Sequence, residues 1–425
     1  MRKQNKKVLI AAAAYNWAEC HRMAGIGREF LKYGYEVYSL GTGRYDYLLK
    51  EGMIHLSLKE DEHWYTEERI WKLMHMDSYG NDYCEQEELE EMIEAERKLF
   101  QQIKPELVVT GYRTTLSLSC RIEKIPLVWV LSAVVSPLYY KYGLATMPER
   151  VPVQFVNHIK DKKLQAKYYC TLALKNNGTS KIWNKTAKKY ELSGLKSDLE
   201  IFTGDLSLMS DIPDFFPDFK KLPKEFQFCG PLFNYEDIAW PECMKGYDQT
   251  KKCLRIFVTF GSSGEEKIVF RILNDLKQVD AEIFVATTSI IDKKVQKEFP
   301  DNFYFAEKFP HRKIAEWVDL SIIHGGQGTL YTTILGGKPF IGVPMFSEQQ
   351  YNIENMVRHG SGEHISVEAL NNGVLKQTIE KVVNTESYFI QAQKVRKMVI
   401  PYYQDESKNA SYVAVHKIME YFWNE

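Results

Sequence analysis

The chain has 425 residues, of which 44% are hydrophobic, 13% aromatic and 26% charged, so it can bury two α/β-sized cores and is too apolar for a disordered or fibrous protein. Lys and Arg number 55 against 56 Asp and Glu, and a net charge of -1 excludes whole-chain attraction to nucleic acid or anionic lipid. The seven cysteines, Cys20, Cys84, Cys120, Cys170, Cys229, Cys243 and Cys253, form no CxxC pair and no ligand-like cluster, which predicts a reduced, cytoplasmic protein without a metal site.

Arg2, Lys3, Lys6 and Lys7 precede an apolar run at 8–15, but Asn16, Glu19 and His21 follow at once, so the run reads as a buried first strand rather than a signal peptide. A strand at 8–13, a helix at 23–32 and a strand at 36–40 make one βαβ unit. Strands at 107–110 and 127–131, around a helix containing Leu116, Leu118 and Ile122, continue the pattern. No apolar stretch approaches the roughly 20 residues that cross a bilayer. The acidic stretch 77–96, with nine carboxylates, predicts a solvated helix face. The basic stretch 159–191 carries nine lysines interleaved with Tyr168, Tyr169 and Trp183, and predicts solvated helices able to make weak peripheral contact with anionic lipid. Asn-x-Thr matches at Asn177 and Asn184 read as chance.

Proline and glycine thicken over 212–241 and mark a domain end. Strands at 254–260, 282–286, 303–305 and 320–323, with a helix at 265–276, then form a second α/β unit. The expected division is a first lobe at 1–236, a linker at 237–251, a second lobe at 252–404 and a C-terminal helix at 405–425 able to pack back on the first lobe. The fold class is α/β, with two Rossmann-like, doubly wound lobes.

The segment 321–352 is the most informative. A strand ends in His324, and the glycine-rich turn Gly325-Gly326-Gln327-Gly328 opens a helix, a geometry whose free amides and positive dipole end face an anion. Gly336-Gly337-Lys338-Pro339 stops that helix, a strand follows at 340–343, and Glu348-Gln349 opens another helix beside the first turn. A carboxylate next to an amide suits sugar hydroxyls, although such residues also cap helices.

HGGQGT at 324–329, then GGKP, then P-x-x-x-EQ-x-x-N ending at Asn352 resemble the donor signature of family 1 nucleotide-sugar glycosyltransferases, the superfamily of UDP-glycosyltransferases and bacterial antibiotic glycosyltransferases. The resemblance implies a GT-B fold, with two Rossmann-like lobes facing across a cleft, acceptor on the first and donor on the second. It implies that His324 and the backbone of Gly326, Gln327, Gly328 and Thr329 hold the diphosphate, and that Glu348 and Gln349 hold the sugar. FVTFGSSG at 257–264 is similar to the family's first donor-lobe strand and loop, which makes Gly261, Ser262 and Ser263 donor-binding candidates. Phe309 and His311 stand where the family's base-binding motif has other residues, and are donor-binding candidates on position. Thr332 replaces a ribose-binding Glu of many members, which keeps dTDP open beside UDP.

An acceptor hydroxyl needs a base to attack the anomeric carbon. The resemblance points to His21 as that base; the aspartate that orients it in many members is replaced by Gly111. The expected activity is therefore an inverting transfer, without metal or other cofactor, from a UDP- or dTDP-sugar to a hydroxyl of a small hydrophobic or lipid-like acceptor. Trp64, Tyr65, Trp71 and the methionines at 74 and 76 either line an acceptor pocket or belong to the core. Two alternatives stand beside this reading: a non-catalytic nucleotide-sugar binding subunit, and a sugar-nucleotide epimerase of the same fold. Monomer and dimer are both open.

Overall fold

Short apolar runs alternating with amphipathic helices form two parallel sheets, in two compact units. The computed structural model describes residues 6–74, 84–150, 154–233, 238–248, 250–261, 264–287 and 290–424. One unit comprises Met1–Met147, Val151–Phe233 and Tyr402–Glu425, and the other Pro148–Arg150 and Asn234–Pro401.

Among the described residues the first unit has seven parallel strands: β1 (Lys7–Ala11), β2 (Glu36–Leu40), β3 (Ile54–Leu56), β4 (Leu107–Thr110), β5 (Leu127–Leu131), β6 (Leu206–Met209) and β7 (Phe226–Phe228). Their spatial order is β3-β2-β1-β4-β5-β6-β7. β1 stops at Ala11, short of the expected residue 13, because the Ala13 amide leaves the ladder for the Glu19 carboxylate. The next helix, Trp17–Lys32, begins earlier than the expected residue 23, because Asn16 accepts the Glu19 amide and caps it.

The Gln86–Ile103 helix carries most of the acidic stretch. Its Glu87 and Glu91 are exposed, as a solvated face requires, whereas Glu96 is wholly buried. Glu96 accepts from Arg113 Nε at 2.8 Å, from Thr115 Oγ1 at 2.6 Å and from Ser119 Oγ, while Arg113 Nη2 lies 2.7 Å from Asp61. Two carboxylates thus flank one buried guanidinium, and losing Arg113 would leave both acids buried without their cation. Trp64 and Tyr65 are core residues, Trp71 is exposed, and residue 76 lies outside the described residues.

The second unit has six parallel strands among the described residues: β8 (Arg255–Thr259), β9 (Glu282–Ala286), β10 (Phe303–Ala306), β11 (Leu320–Ile323), β12 (Phe340–Gly342) and β13 (Gly362–His364). Their order is β10-β9-β8-β11-β12-β13. The described part of the expected linker at 237–251 belongs to this unit. Trp240, Cys243, Met244 and Tyr247 pack with Phe257, Phe284 and Phe309. The short segment Pro148–Arg150 also belongs here, with the Glu149 amide donating to Gln350 Oε1 at 3.0 Å and Arg150 paired with Glu265.

The C-terminal helix Ala410–Trp423 is part of the first unit, where Ala414, Val415, Ile418 and Met419 share a core with β1 and the Trp17–Lys32 helix. All seven cysteines are free thiols. Among the described residues no helix is long and apolar enough to cross a membrane.

Candidate active site

In an open parallel sheet the ligand crevice lies beyond the carboxyl ends of the strands, where the strand order reverses. In the second unit that point falls between β8 and β11. β8 runs into Phe260-Gly261 and β11 into His324-Gly325-Gly326. Gly261 has φ +54°, and a Cβ there would stand 3.0 Å from His324 Cε1, so the two turns meet at the imidazole. The ring is 4% exposed and tilted against Phe260, with centroids 6.1 Å apart. Burial pushes His324 down to about 4, against the opposing pull of a hydrogen bond to the Thr259 backbone, so the imidazole is neutral at pH 7.

The glycines serve the packing of this turn. Gly325 has φ +90°, and a Cβ there would come within 2.6 Å of the Gln349 carbonyl and of Ile353. A Cβ at Gly326 would come within 2.4 Å of His324 Nε2. Asn352 Nδ2 donates to the Gly325 carbonyl at 3.1 Å, and the Met345 amide donates to Gln349 Oε1 at 2.8 Å, which ties the second turn to the first. The helix Gln327–Gly336 starts from Gly326 without a side-chain cap, and its first intrahelical bond runs from the Leu330 amide to the Gly326 carbonyl at 2.9 Å. A helix start that no side chain caps, with the positive end of the dipole, favours an anion.

In the first unit the strand order reverses between β1 and β4, and the outcome is different. Glu19, fully buried, fills the point with its own carboxylate: Oε2 accepts the Ala13 amide at 3.2 Å, and Oε1 accepts those of Gly111 at 3.2 Å and Tyr112 at 2.6 Å. Burial pushes this carboxyl up to about 7, against the opposing pull of these amides and of Arg22. A Cβ at Gly111 would lie 3.0 Å from the Val130 carbonyl and 3.4 Å from Glu19 Oε1, so the space an aspartate at 111 would occupy holds Glu19 instead. His21 lies on the same helix, half-buried, with Trp17 one turn before it at 4.8 Å between ring centroids. Glu19 and His21 are about 200° apart around the helix, so the carboxylate turned to the strand ends does not face the imidazole.

A model of the erythromycin biosynthesis protein CIII-like C-terminal domain matches residues 270–402. A PGL/p-HBAD biosynthesis glycosyltransferase of Mycobacterium tuberculosis is 27% identical over 304 residues, 70% of this chain and 67% of the relative. A PGL/p-HBAD biosynthesis rhamnosyltransferase of Mycobacterium bovis is 24% identical over 388 residues, 91% of this chain and 82% of the relative. The solved structure of the glycosyltransferase VinC in complex with DTDP shares the fold, with a TM-score of 0.63 at 14% identity, covering 97% of this chain and 98% of that one. Along most of its length the chain is similar to the family 1 GT-B glycosyltransferases.

Within this glycosyltransferase the structure brings Gly261, His324, Gly326, Thr329 and Gln349 together at one switch point, with His311 close enough to depress His324 further. Ser262 and Ser263 lie outside the described residues. One expectation needs correction. Phe309 is wholly buried between Phe257 and Phe284, at 5.8 and 6.4 Å, and has no free face for a base. His311, by contrast, sits partly exposed at the start of the His311–Trp317 helix, edge-on to Phe257.

Glu348 is half-buried, and Gln349 is 1% exposed with its amide oxygen accepting from the Met345 amide. Thr332 donates its hydroxyl to the Gly328 carbonyl at 3.0 Å. Glu19 escaped sequence reasoning because Asn16-Trp17-Ala18-Glu19 has the spacing of a helix capping box, which gives an acid at that position an ordinary local explanation.

Proposed function

We propose that this enzyme moves a sugar from a nucleoside diphosphate, UDP or dTDP, to a hydroxyl of a hydrophobic or lipid-like acceptor, with inversion at the anomeric carbon and without a metal ion. The second switch point carries this reading: a buried, neutral imidazole stands beside a helix start that no side chain caps. That pairing suits a diphosphate, whose charge grows as the glycosidic bond breaks. Thr332, with its hydroxyl bonded inside the helix, presents no carboxylate to a ribose 2′-hydroxyl, which supports dTDP over UDP. The DTDP in the VinC structure agrees with that preference. The acceptor class draws support from the mycobacterial relatives, both named for PGL/p-HBAD biosynthesis.

In the proposed step the acceptor oxygen attacks the anomeric carbon from the face opposite the leaving group, and His21 takes the hydroxyl proton. The bond from that carbon to the diphosphate oxygen breaks, and the diphosphate leaves with its new charge against the helix-start amides and His324. His21→Ala should lower the transfer rate by about a hundred- to ten-thousandfold while calorimetric nucleotide affinity holds. Unchanged turnover in that variant, or NMR of the product showing retained configuration, would overturn the mechanism. Activity abolished by EDTA and restored by a divalent ion would overturn the metal-free reading.

A further inference from the structure

The basic stretch of the first unit takes no part in the chemistry above, and its helix Lys162–Ala173 has an unusual outer face. The inner face is anchored. Gln165 Nε2 donates to the Val156 and Ile159 carbonyls at 3.2 and 3.3 Å, Cys170 Sγ to the Ala145 carbonyl at 3.2 Å, and Tyr169 packs on Tyr140. Opposite these, Leu164, Tyr168 and Leu172 are 44, 53 and 45% exposed. Spaced i, i+4 and i+8, they form one stripe along the helix. Thr171 lies beside them with its hydroxyl spent on the Lys167 carbonyl at 2.8 Å.

Lys163 and Lys167 flank the stripe on one side, Lys162 stands at the first turn, and exposed Lys160 and Lys175 lie just beyond the two ends. The helix contains no acidic residue. The nearest acid in sequence, Asp161, turns its carboxylate onto the amides of Lys163 and Leu164 at 2.9 and 3.0 Å. An apolar stripe with a tyrosine, edged by lysines whose stems can lie along it, is the pattern of a helix that rests in the headgroup region of a bilayer.

We propose that this outer face docks the enzyme onto an anionic membrane surface, with Leu164, Tyr168 and Leu172 entering the headgroup boundary and the lysines meeting lipid phosphates. Charge complementarity selects that occupant: the stripe alone would suit any apolar partner, whereas a border of like-signed lysines suits a continuous anionic plane. The inference is independent of which sugar or acceptor the enzyme uses.

Co-sedimentation of the full chain with phosphatidylglycerol-containing vesicles tests it. At low salt the protein should pellet with them, stay in solution with pure phosphatidylcholine, and be released by about 1 M salt, where the screening length falls to about 3 Å. Lys163→Gln with Lys167→Gln should weaken binding about fivefold for each lysine removed. Leu164→Ser, Tyr168→Ser and Leu172→Ser together should abolish it, with thermal unfolding and transfer to a water-soluble acceptor unchanged, since these side chains face solvent. Wild-type protein left in the supernatant, equal binding to neutral vesicles, or variants that pellet like wild type would each overturn the proposal. So would a vesicle-free dimer, seen by sedimentation velocity, that the triple serine variant dissociates.

Discussion

The two sheets pose the same local problem, a strand-order reversal with backbone amides gathered at the strand ends, and answer it in opposite ways. Between β1 and β4 the chain supplies its own anion: Glu19 takes three amides and leaves Gly111 no room for a side chain. Between β8 and β11 it supplies a neutral imidazole and a helix start capped by no side chain. A carboxylate at a reversal disfavours a phosphate there, whereas a neutral imidazole beside an uncapped helix start suits one. The Rossmann-like topology therefore does not say which lobe takes a nucleotide; the residues at the two reversals do.

Gly111→Asp should break the contrast most severely. It would force a second carboxylate against Glu19 and the Val130 carbonyl, costing about 3 to 5 kcal/mol in urea unfolding. Partial recovery when Glu19→Gln is added would identify the clash between carboxylates as the cause.

The two sites should also give opposite slopes of stability against pH. Glu19 titrates near 7 when folded, above its ordinary value of 4.5, so the folded state holds the extra proton in that window and stability falls as pH rises from 4.5 to 7. His324 titrates near 4 when folded, below its ordinary 6.5, so the unfolded state binds more protons and stability falls as pH drops from 6.5 to 4. Each contribution is about 3 kcal/mol at full extent. Thermal unfolding of Glu19→Gln and His324→Phe across this range should remove one slope each. A slope of unchanged sign and size in either variant would refute the assignment for that site.

Gly326→Ala comes next. With a Cβ 2.4 Å from His324 Nε2 the imidazole must move, and displacement on that scale should lower kcat/KM about a hundredfold while the fold survives. Nucleotide affinity measured by calorimetry should fall with it. The smallest effect belongs to Thr332→Val, which removes only an in-helix hydrogen bond and should change stability by less than about 1 kcal/mol and nucleotide affinity not at all. A clear loss of nucleotide affinity there would mean that the hydroxyl reaches the ribose after all.

Much of this architecture was legible before any tertiary contact was known. Alternating strand and helix patterns pointed to parallel sheets, and the turn at 324–328 announced a helix opening onto an anion, because these signals lie within a few residues of one another. Phe309 was misjudged because its place in a motif says nothing about the rings that surround it, and the solvated reading of the acidic stretch missed Glu96 because helix periodicity does not reveal a buried arginine.

What the chain determined by itself was the class of each element, the position of the glycine turn and the residue types able to do acid–base and phosphate chemistry. Only the tertiary structure decided that Glu19 meets Gly111 across 92 residues, that Gly261 closes on His324, and that a carboxylate stands at one reversal and an imidazole at the other. Local patterns are written by backbone geometry within a turn or a strand, whereas the partner of a buried charge is chosen by which strands become neighbours.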